Sequence, residues 1–342
     1  MMRPAPKKRP RDEVSPAVSG PAAEPIQDVS HLAHVEVRTP RLAETLAFLT
    51  SVFGLRESHR DGASVYLRAW GDFYHHTLKI TDAAQPGLGH VAWRAVSPRA
   101  LERRVAALQN WGCGRGWLEG DTGHGPAYQF VDPAGHLMEI FYEVEWHEPR
   151  AALRTRLRNQ PHKRPLGGIG TRRLDHVNLL AGDVTANRRF LEDCLGFRLR
   201  EHIVHGEREI GAWLSVTPLV HDIAYMRDAS GADGRFHHLA YWVDDAGDLI
   251  RAADILMEAG IRIEAGPAKH AITNGLFLYL YEPGGNRLEL FTGGYLIFAP
   301  DWEPVTWTED DRDVRVWWGG ELPDSFFTYG TPAVEPVKAK NR

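Results

Sequence analysis

From His31 to Val37 polar and apolar residues alternate, the period of a strand with one buried face. Leu42, Leu46, Leu49 and Phe53 follow at helical spacing and stop at Gly54. The same succession returns later in the chain. Leu174-Asp175-His176-Val177-Asn178-Leu179 leads into a helical stretch carrying Phe190, Leu191, Cys194 and Leu195, which stops at Gly196. Both glycines sit where a helix end wants a residue free to take positive φ. His34 and His176 are 142 residues apart, and so are Gly54 and Gly196. Further on, Gly89-His90-Val91-Ala92-Trp93 answers Phe236-His237-His238-Leu239-Ala240-Tyr241, with His90 and His238 separated by 148 residues. An amphipathic helix through Leu101, Val105 and Leu108 answers one through Leu249, Ala253 and Leu256. The stretch Phe130–Glu139 answers Leu280–Glu289 at a separation of 150, each with an Asp/Glu-Pro-x-Gly turn. A separation that grows this slowly marks a duplication with small loop insertions. Each half reads strand, helix, short strands, twice over, which predicts an α+β protein of tandem βαβββ modules forming two domains.

The pattern also sets boundaries. Residues 1–27, with Lys7-Lys8-Arg9-Pro10-Arg11 among Pro, Ala, Ser and Glu, hold too little apolar content for a core and read as a disordered tail whose basic run is solvated. Residues 28–148 form the first domain, 149–170 a connection rich in Arg, Pro and Gly, and 171–300 the second domain. Residues 301–330, with Trp302, Trp307, Trp317 and Trp318, have no partner in the first half and are expected to wrap back as a cover. Residues 331–342 read as a second tail. A composition of 43% hydrophobic and 25% charged residues is that of a globular protein. No run approaches the roughly 20 apolar residues of a membrane span and no secretory core is visible, so a soluble, cytoplasmic protein is expected. Cys113 and Cys194 are too few for a disulfide framework or a thiolate metal site. A net charge of -5 argues against nucleic acid as a partner.

Among 17 histidines, two combine with a glutamate in a way that carries chemistry. His176, His238 and Glu289 occupy equivalent strand positions of the repeat, and alternation lets one inward residue from each of three strands converge. Two imidazoles and one carboxylate with the remaining positions open are the facial triad of non-haem Fe(II) oxygenases. A lone strand histidine is more often a satisfied core residue; the joint placement of all three is what counts.

The sequence around the third of these is more specific. His270, followed by Asn274-Gly275-Leu276-Phe277-Leu278-Tyr279-Leu280-Tyr281-Glu282-Pro283-Gly284-Gly285-Asn286-Arg287-Leu288-Glu289, resembles the signature of the type I extradiol ring-cleavage dioxygenases of the vicinal oxygen chelate superfamily, departing from it at Ala268. Trp213-Leu214-Ser215 with Val220-His221-Asp222, the His237-His238 pair, Gly293-Gly294-Tyr295, Trp307 and Trp317-Trp318-Gly319 resemble further segments of that family, over about residues 30 to 330. The resemblance implies two vicinal oxygen chelate domains, the second catalytic. It implies His176, His238 and Glu289 as ligands of Fe(II), with Mn(II) the alternative ion. His221, His270 and Tyr279 become catalytic groups around the metal, and Asn178, Trp213 and Arg315 substrate-binding groups. The implied reaction is cleavage of a catechol by dioxygen beside the diol, in a homo-oligomer, commonly a tetramer. Other activities of the superfamily, which often use four protein ligands, and a non-catalytic binding protein of the same fold are the alternatives. Homoprotocatechuate enzymes carry an Arg where this chain has Ala265, so a neutral or bulky substituent is expected rather than an acetate side chain.

The first half keeps His34, His90 and Glu139 at the three ligand positions. Gln129 falls at the place of Tyr279 and Gly120 at that of His270. His75 is taken as the counterpart of His221, and His124 can stand in for a missing histidine only if its loop shifts. The first half is therefore expected to be a metal-free remnant, with one Fe(II) per chain.

Overall fold

The computed structural model describes residues 27–333. Residues 1–26 and 334–342, which hold nearly all of the two expected tails, lie outside the described residues. The first domain contains β1 (Val29–Thr39), α1 (Leu42–Phe48), β2 (Arg56–Asp61), β3 (Ser64–Arg68), β4 (Leu78–Asp82), β5 (Gly87–Ala95), α2 (Pro98–Trp111), β6 (Gly114–Leu118), β7 (Ala127–Val131) and β8 (Leu137–Phe141). The second contains β9 (Arg173–Ala181), α3 (Val184–Phe190), β10 (Arg198–His205), β11 (Arg208–Ser215), β12 (Ile223–Arg227), β13 (Phe236–Trp242), α4 (Ala246–Glu258), β14 (Ile263–Lys269), β15 (Gly275–Tyr281) and β16 (Arg287–Gly293), followed by β17 (Val305–Trp307) and α5 (Asp324–Thr328).

The strand orders are β2-β3-β4-β1-β5-β8-β7-β6 and β14-β15-β16-β13-β9-β12-β11-β10-β17. In each sheet the leading strands of the two βαβββ modules lie side by side and antiparallel, and each leading strand pairs in parallel with the last strand of its own module. The helix starts follow from local chemistry. Ser97 accepts from the Ala100 amide with Pro98 at the first helical position, and Asp183 and Asp245 cap α3 and α4 in the same way. Helices α1 and α3 both widen into a π turn, Leu49–Phe53 and Leu191–Leu195, closed by Gly54 (φ 93) and Gly196 (φ 75). A Cβ on Gly54 would lie 2.8 Å from the backbone nitrogen of Gly170, so close chain approach as well as φ requires glycine there.

One continuous apolar core joins the helices to one face of both sheets; the ring pairs Phe53–Tyr241 and Trp93–Phe197 cross between the domains within it. Val177, Leu179, Leu239, Leu288 and Leu290 point into this core, so alternation sends His176, His238 and Glu289 to the opposite face. A one-residue slip of β13 would turn buried Leu239 and Tyr241 outward at about 1.5–3 kcal/mol each, which fixes the register and with it the ligand face.

Two features of the C-terminal region differ from expectation. The segment 301–330 does more than cover: β17 extends the second sheet in parallel with β10, and α5 is bound to that sheet through Arg287. That buried guanidinium forks onto Glu264 at 2.6 and 3.0 Å and donates to the carbonyls of Ser325 and Tyr329. Thr331, expected to open a tail, is instead buried and exchanges both backbone hydrogen bonds with Phe236.

Candidate active site

Strands β9, β13 and β16 are neighbours, and each supplies one donor. Ala240 on β13 is level with His176 on one side and Glu289 on the other, while His238 projects from the same face two residues earlier. The small methyl of Ala240 leaves room for the three longer side chains to meet above it. The Glu289 carboxylate lies 2.9 Å from His176 Nε2 and 3.0 Å from His238 Nε2, and the two Nε2 atoms are 3.4 Å apart. All three residues are buried.

The remaining ring nitrogens determine what the cluster presents. His176 Nδ1 donates to Asp175 at 2.8 Å. His237 Nε2 donates to the Phe326 carbonyl at 2.7 Å, leaving its Nδ1 to accept from His238 Nδ1 at 2.6 Å. Both ligand-position histidines therefore turn an Nε2 lone pair toward a carboxylate oxygen, an arrangement of three acceptors that calls for a cation. The electrostatics agree. Burial opposes a charge on His176, but Glu289 and Asp175 outweigh it and push its pKa up to about 9. Burial also opposes ionisation of Glu289, yet the two imidazoles hold its carboxyl well below the usual range. Burial brings His238 down to about 4 against the pull of Glu289.

The cluster opens into a pocket enclosing about 560 Å³ of space, part of it open to solvent. All nine site residues expected from the sequence line it: His176, His238 and Glu289, together with His221, His270, Tyr279, Asn178, Trp213 and Arg315. The His221 ring packs against His176 with centroids 3.9 Å apart, and its buried Nδ1 has no hydrogen-bond partner. Burial, then the neighbouring His176, keep its pKa well below the ordinary histidine value, so the ring is neutral rather than poised near neutrality. Tyr279 donates to His270 Nε2 at 3.1 Å, and His270 Nδ1 is committed to the Arg315 carbonyl. Burial and the nearby Glu289 push the Tyr279 phenol well above its usual value. The Asn178 amide oxygen is buried and unpartnered at the wall.

Several functional residues are not visible as such in the sequence reading. Asp175 and His237 orient the two ligand-position imidazoles, and their signal is adjacency, each standing immediately before its histidine. Ile203, Ile210, Met226, Ile272, Leu322 and Phe326 make the apolar wall. Glu201 accepts from the Thr273 amide, the Tyr295 hydroxyl and the Trp307 indole, and so fixes three segments around the cavity at once. It holds Thr273 at φ 61, a strained conformation for a β-branched residue.

The first domain repeats the ligand register, Ala92 lying level with His34 and Glu139, and Gln129 facing Glu139 as Tyr279 faces Glu289. The expected pairing of His75 with His221 needs correction. Val35 pairs with Leu78 as Val177 pairs with Ile223, which sets the local separation at 145 and makes His76 the counterpart. His76 is buried against His34 with centroids 4.6 Å apart, whereas His75 lies only half-buried beside it.

The family model described as the Glyoxalase/Bleomycin resistance protein/Dioxygenase superfamily matches residues 31–140 and 173–290, one stretch per domain. The metapyrocatechase of Geobacillus stearothermophilus is 50% identical over 312 residues, covering 90% of this chain and 95% of its own length. The chain belongs to the extradiol dioxygenases of this superfamily. A manganese-dependent 2,3-dihydroxybiphenyl 1,2-dioxygenase of Geobacillus genomosp. 3 is 41% identical over 301 residues, 86% of this chain and 95% of that one. Homoprotocatechuate 2,3-dioxygenase from Brevibacterium fuscum, solved with 3,4-dihydroxyphenylacetate, matches with a TM-score of 0.79 at 31% identity, over 90% of this chain and 94% of that one.

For an extradiol dioxygenase with this donor set, the partner of His176 has a measurable part. Asp175→Asn keeps the size of the side chain but removes the charge that polarises the imidazole. It is expected to weaken metal binding about 10- to 100-fold in a chelator competition assay. Unchanged affinity would mean that Asp175 serves Arg173, 2.6 Å away, rather than the metal.

Proposed function

We propose that this dioxygenase cleaves a catechol-type diol beside its two hydroxyls, using dioxygen at a mononuclear Fe(II) held by His176, His238 and Glu289, with Mn(II) as the alternative ion. The observation that carries the reading is the convergence of two imidazole lone pairs and one carboxylate at the floor of an otherwise largely apolar cavity. A metal bound there supplies a Lewis acid that favours the deprotonated diol and a redox centre that couples the diol to dioxygen. The surrounding side chains handle protons and position. Tyr279, hydrogen-bonded to His270, holds the diol hydroxyl that ionises, and the His270–Arg315 carbonyl contact keeps that pair in place. His221 is neutral and its Nδ1 is unpartnered, so it enters the reaction able to accept a proton and later returns one to oxygen. Asn178, Trp213 and Arg315 bind the substrate around the ring. Dry walls strengthen each of these polar contacts. The product is a ring-opened semialdehyde of the 2-hydroxymuconic type. A homo-oligomer, commonly a tetramer in this family, and a cytoplasmic setting complete the reading.

Loading the protein anaerobically with Fe(II), adding catechol and then admitting air tests it directly. A yellow product absorbing in the near-visible is expected. Bound metal without that product would favour a lyase, an isomerase or a binding protein.

The substrate substituent follows from position 265, which pairs with Tyr279 just behind the cavity lining. Ala265 packs with Phe277, Tyr279 and Phe326 in an apolar cluster where homoprotocatechuate enzymes carry an Arg. A substrate carboxylate directed there would lose water without gaining a bidentate partner, at a cost of about several kcal/mol. Catechol and 3- or 4-alkylcatechols are therefore expected to show higher kcat/KM than homoprotocatechuate in a substrate panel. The reverse order would overturn this assignment and leave the reaction class untouched.

A further inference from the structure

The first domain retains more than the outline of a metal site. The Nε2 atoms of His34 and His90 lie 2.9 Å apart, and Glu139 Oε1 lies 3.5 and 3.4 Å from them. Across a tetrahedral site with bonds of about 2.0–2.1 Å, donor atoms sit roughly 3.4 Å apart, so the two Glu139 separations suit a bound transition metal, while the His34–His90 contact is a hydrogen bond that the ion would replace. All three side chains are at most 7% exposed, and Glu139 Oε1 is a buried oxygen with no hydrogen-bond donor. His90 Nδ1 donates to Glu36 at 2.9 Å, and Glu36 is itself held by Thr81, so the Nε2 lone pair of His90 faces inward. That is the carboxylate–histidine arrangement that orients metal ligands.

A fourth group separates this cluster from the one in the second domain. The loop 120–125 folds tightly on Gly120, where a Cβ would lie 2.8 Å from the His124 carbonyl oxygen. That fold brings His124 Nε2 to 3.5 Å from Glu139 Oε1. His124 Nδ1 donates to the Gly125 carbonyl at 2.8 Å, which again leaves an Nε2 lone pair pointing at the carboxylate. Its ring stacks on Phe141 with centroids 4.5 Å apart. The counterpart of Phe141 is Phe291, and Phe291 faces the substrate cavity. Where the second domain has open space, the first has an imidazole.

We propose that the first domain binds its own divalent transition-metal ion on His34, His90 and Glu139, and that His124, 3.5 Å from Glu139 Oε1 but outside that set of mutually close donors, is drawn in to close the position that the second domain leaves open. A set of imidazoles and one carboxylate suits Zn(II), and a closed set is the mark of a structural rather than a catalytic zinc site. The ion would tie β1, β5 and β8 to the 120–125 loop. This reading departs from the expectation of a metal-free remnant with one ion per chain and gives the two domains ions with different duties.

Zinc analysis after chelator stripping, reloading with Zn(II) and gel filtration tests this. Wild-type protein should hold two equivalents per chain. Glu289→Ala should hold one, and Glu289→Ala combined with Glu139→Gln none. Zinc at a hundredfold excess over its Kd should raise the thermal midpoint of Glu289→Ala by about 5 °C, and the rise should vanish in the double variant and shrink with His124→Asn. If the double variant does not fold, Glu139→Gln alone should fall from two equivalents to one while ring cleavage persists. One equivalent in the wild type, or a Glu289→Ala protein that takes up no zinc and gains no thermal stability, would overturn the proposal. Neither result bears on the reaction at the second site, which is read by the catechol assay.

Discussion

Replacing Glu289 by alanine is expected to abolish ring cleavage entirely and to empty the second-domain site. Glu289 carries the only charge among the three converging donors, and its oxygen lies within 3.0 Å of both imidazoles. Without it His176 and His238 remain as two neutral ligands with nothing to offset a dication in a dry cavity. The fold should survive. Burial already keeps His238 neutral, and without Glu289 the pull that raises the His176 pKa is weakened, so no uncompensated charge is left buried. The equivalent change in the first domain, Glu139→Ala, should leave ring cleavage largely intact. Oxygen uptake with catechol and circular dichroism on both variants check this, and equal damage from the two would refute the division of labour between the domains.

The second large effect belongs to His221. Alanine or asparagine at this position is expected to retain metal and to lose about 10²- to 10⁴-fold in kcat, the usual contribution of a group that moves a proton in the rate-determining chemistry. Metal content measured beside kcat separates the possibilities. Loss of metal would make His221 a ligand, and full activity would remove it from the reaction. A ring packed against His176 with a free, buried nitrogen has no evident structural task.

The duplication was legible because strand alternation and glycine-terminated helices recur at nearly constant separation, and because each ligand position lies on a strand whose buried neighbours fix its face. His176, His238 and Glu289 are flanked by Val177, Leu239, Leu288 and Leu290, and a side chain between such residues has only one way to point. His75 was mistaken for His76 because a single-residue change in loop length reverses the face, and adjacent histidines give no hint of it. The direction of His124 was illegible for a related reason. It sits in a glycine-rich loop, Gly120-Asp121-Thr122-Gly123-His124-Gly125, where no periodicity indicates direction. The apolar wall from Ile203, Ile210 and Met226 and the anchoring by Glu201 depend on strands and a C-terminal segment meeting in space. Nothing in the repeat announces that meeting.

The hydrogen bond from His237 to the Phe326 carbonyl also has a bearing on how the protein is made. Translation delivers β9, β13 and β16 well before residue 326 leaves the ribosome, so the three donor strands can pair while the chain is still growing. At that stage His237 Nε2 lacks its acceptor, and the tautomer of His238 is not yet dictated from behind. Only the arrival of α5, drawn onto the sheet by Arg287, completes the relay. The centre is thus finished from the last part of the described chain, and a product terminated before Asp324 would own every ligand and still present one of them with its proton on either nitrogen.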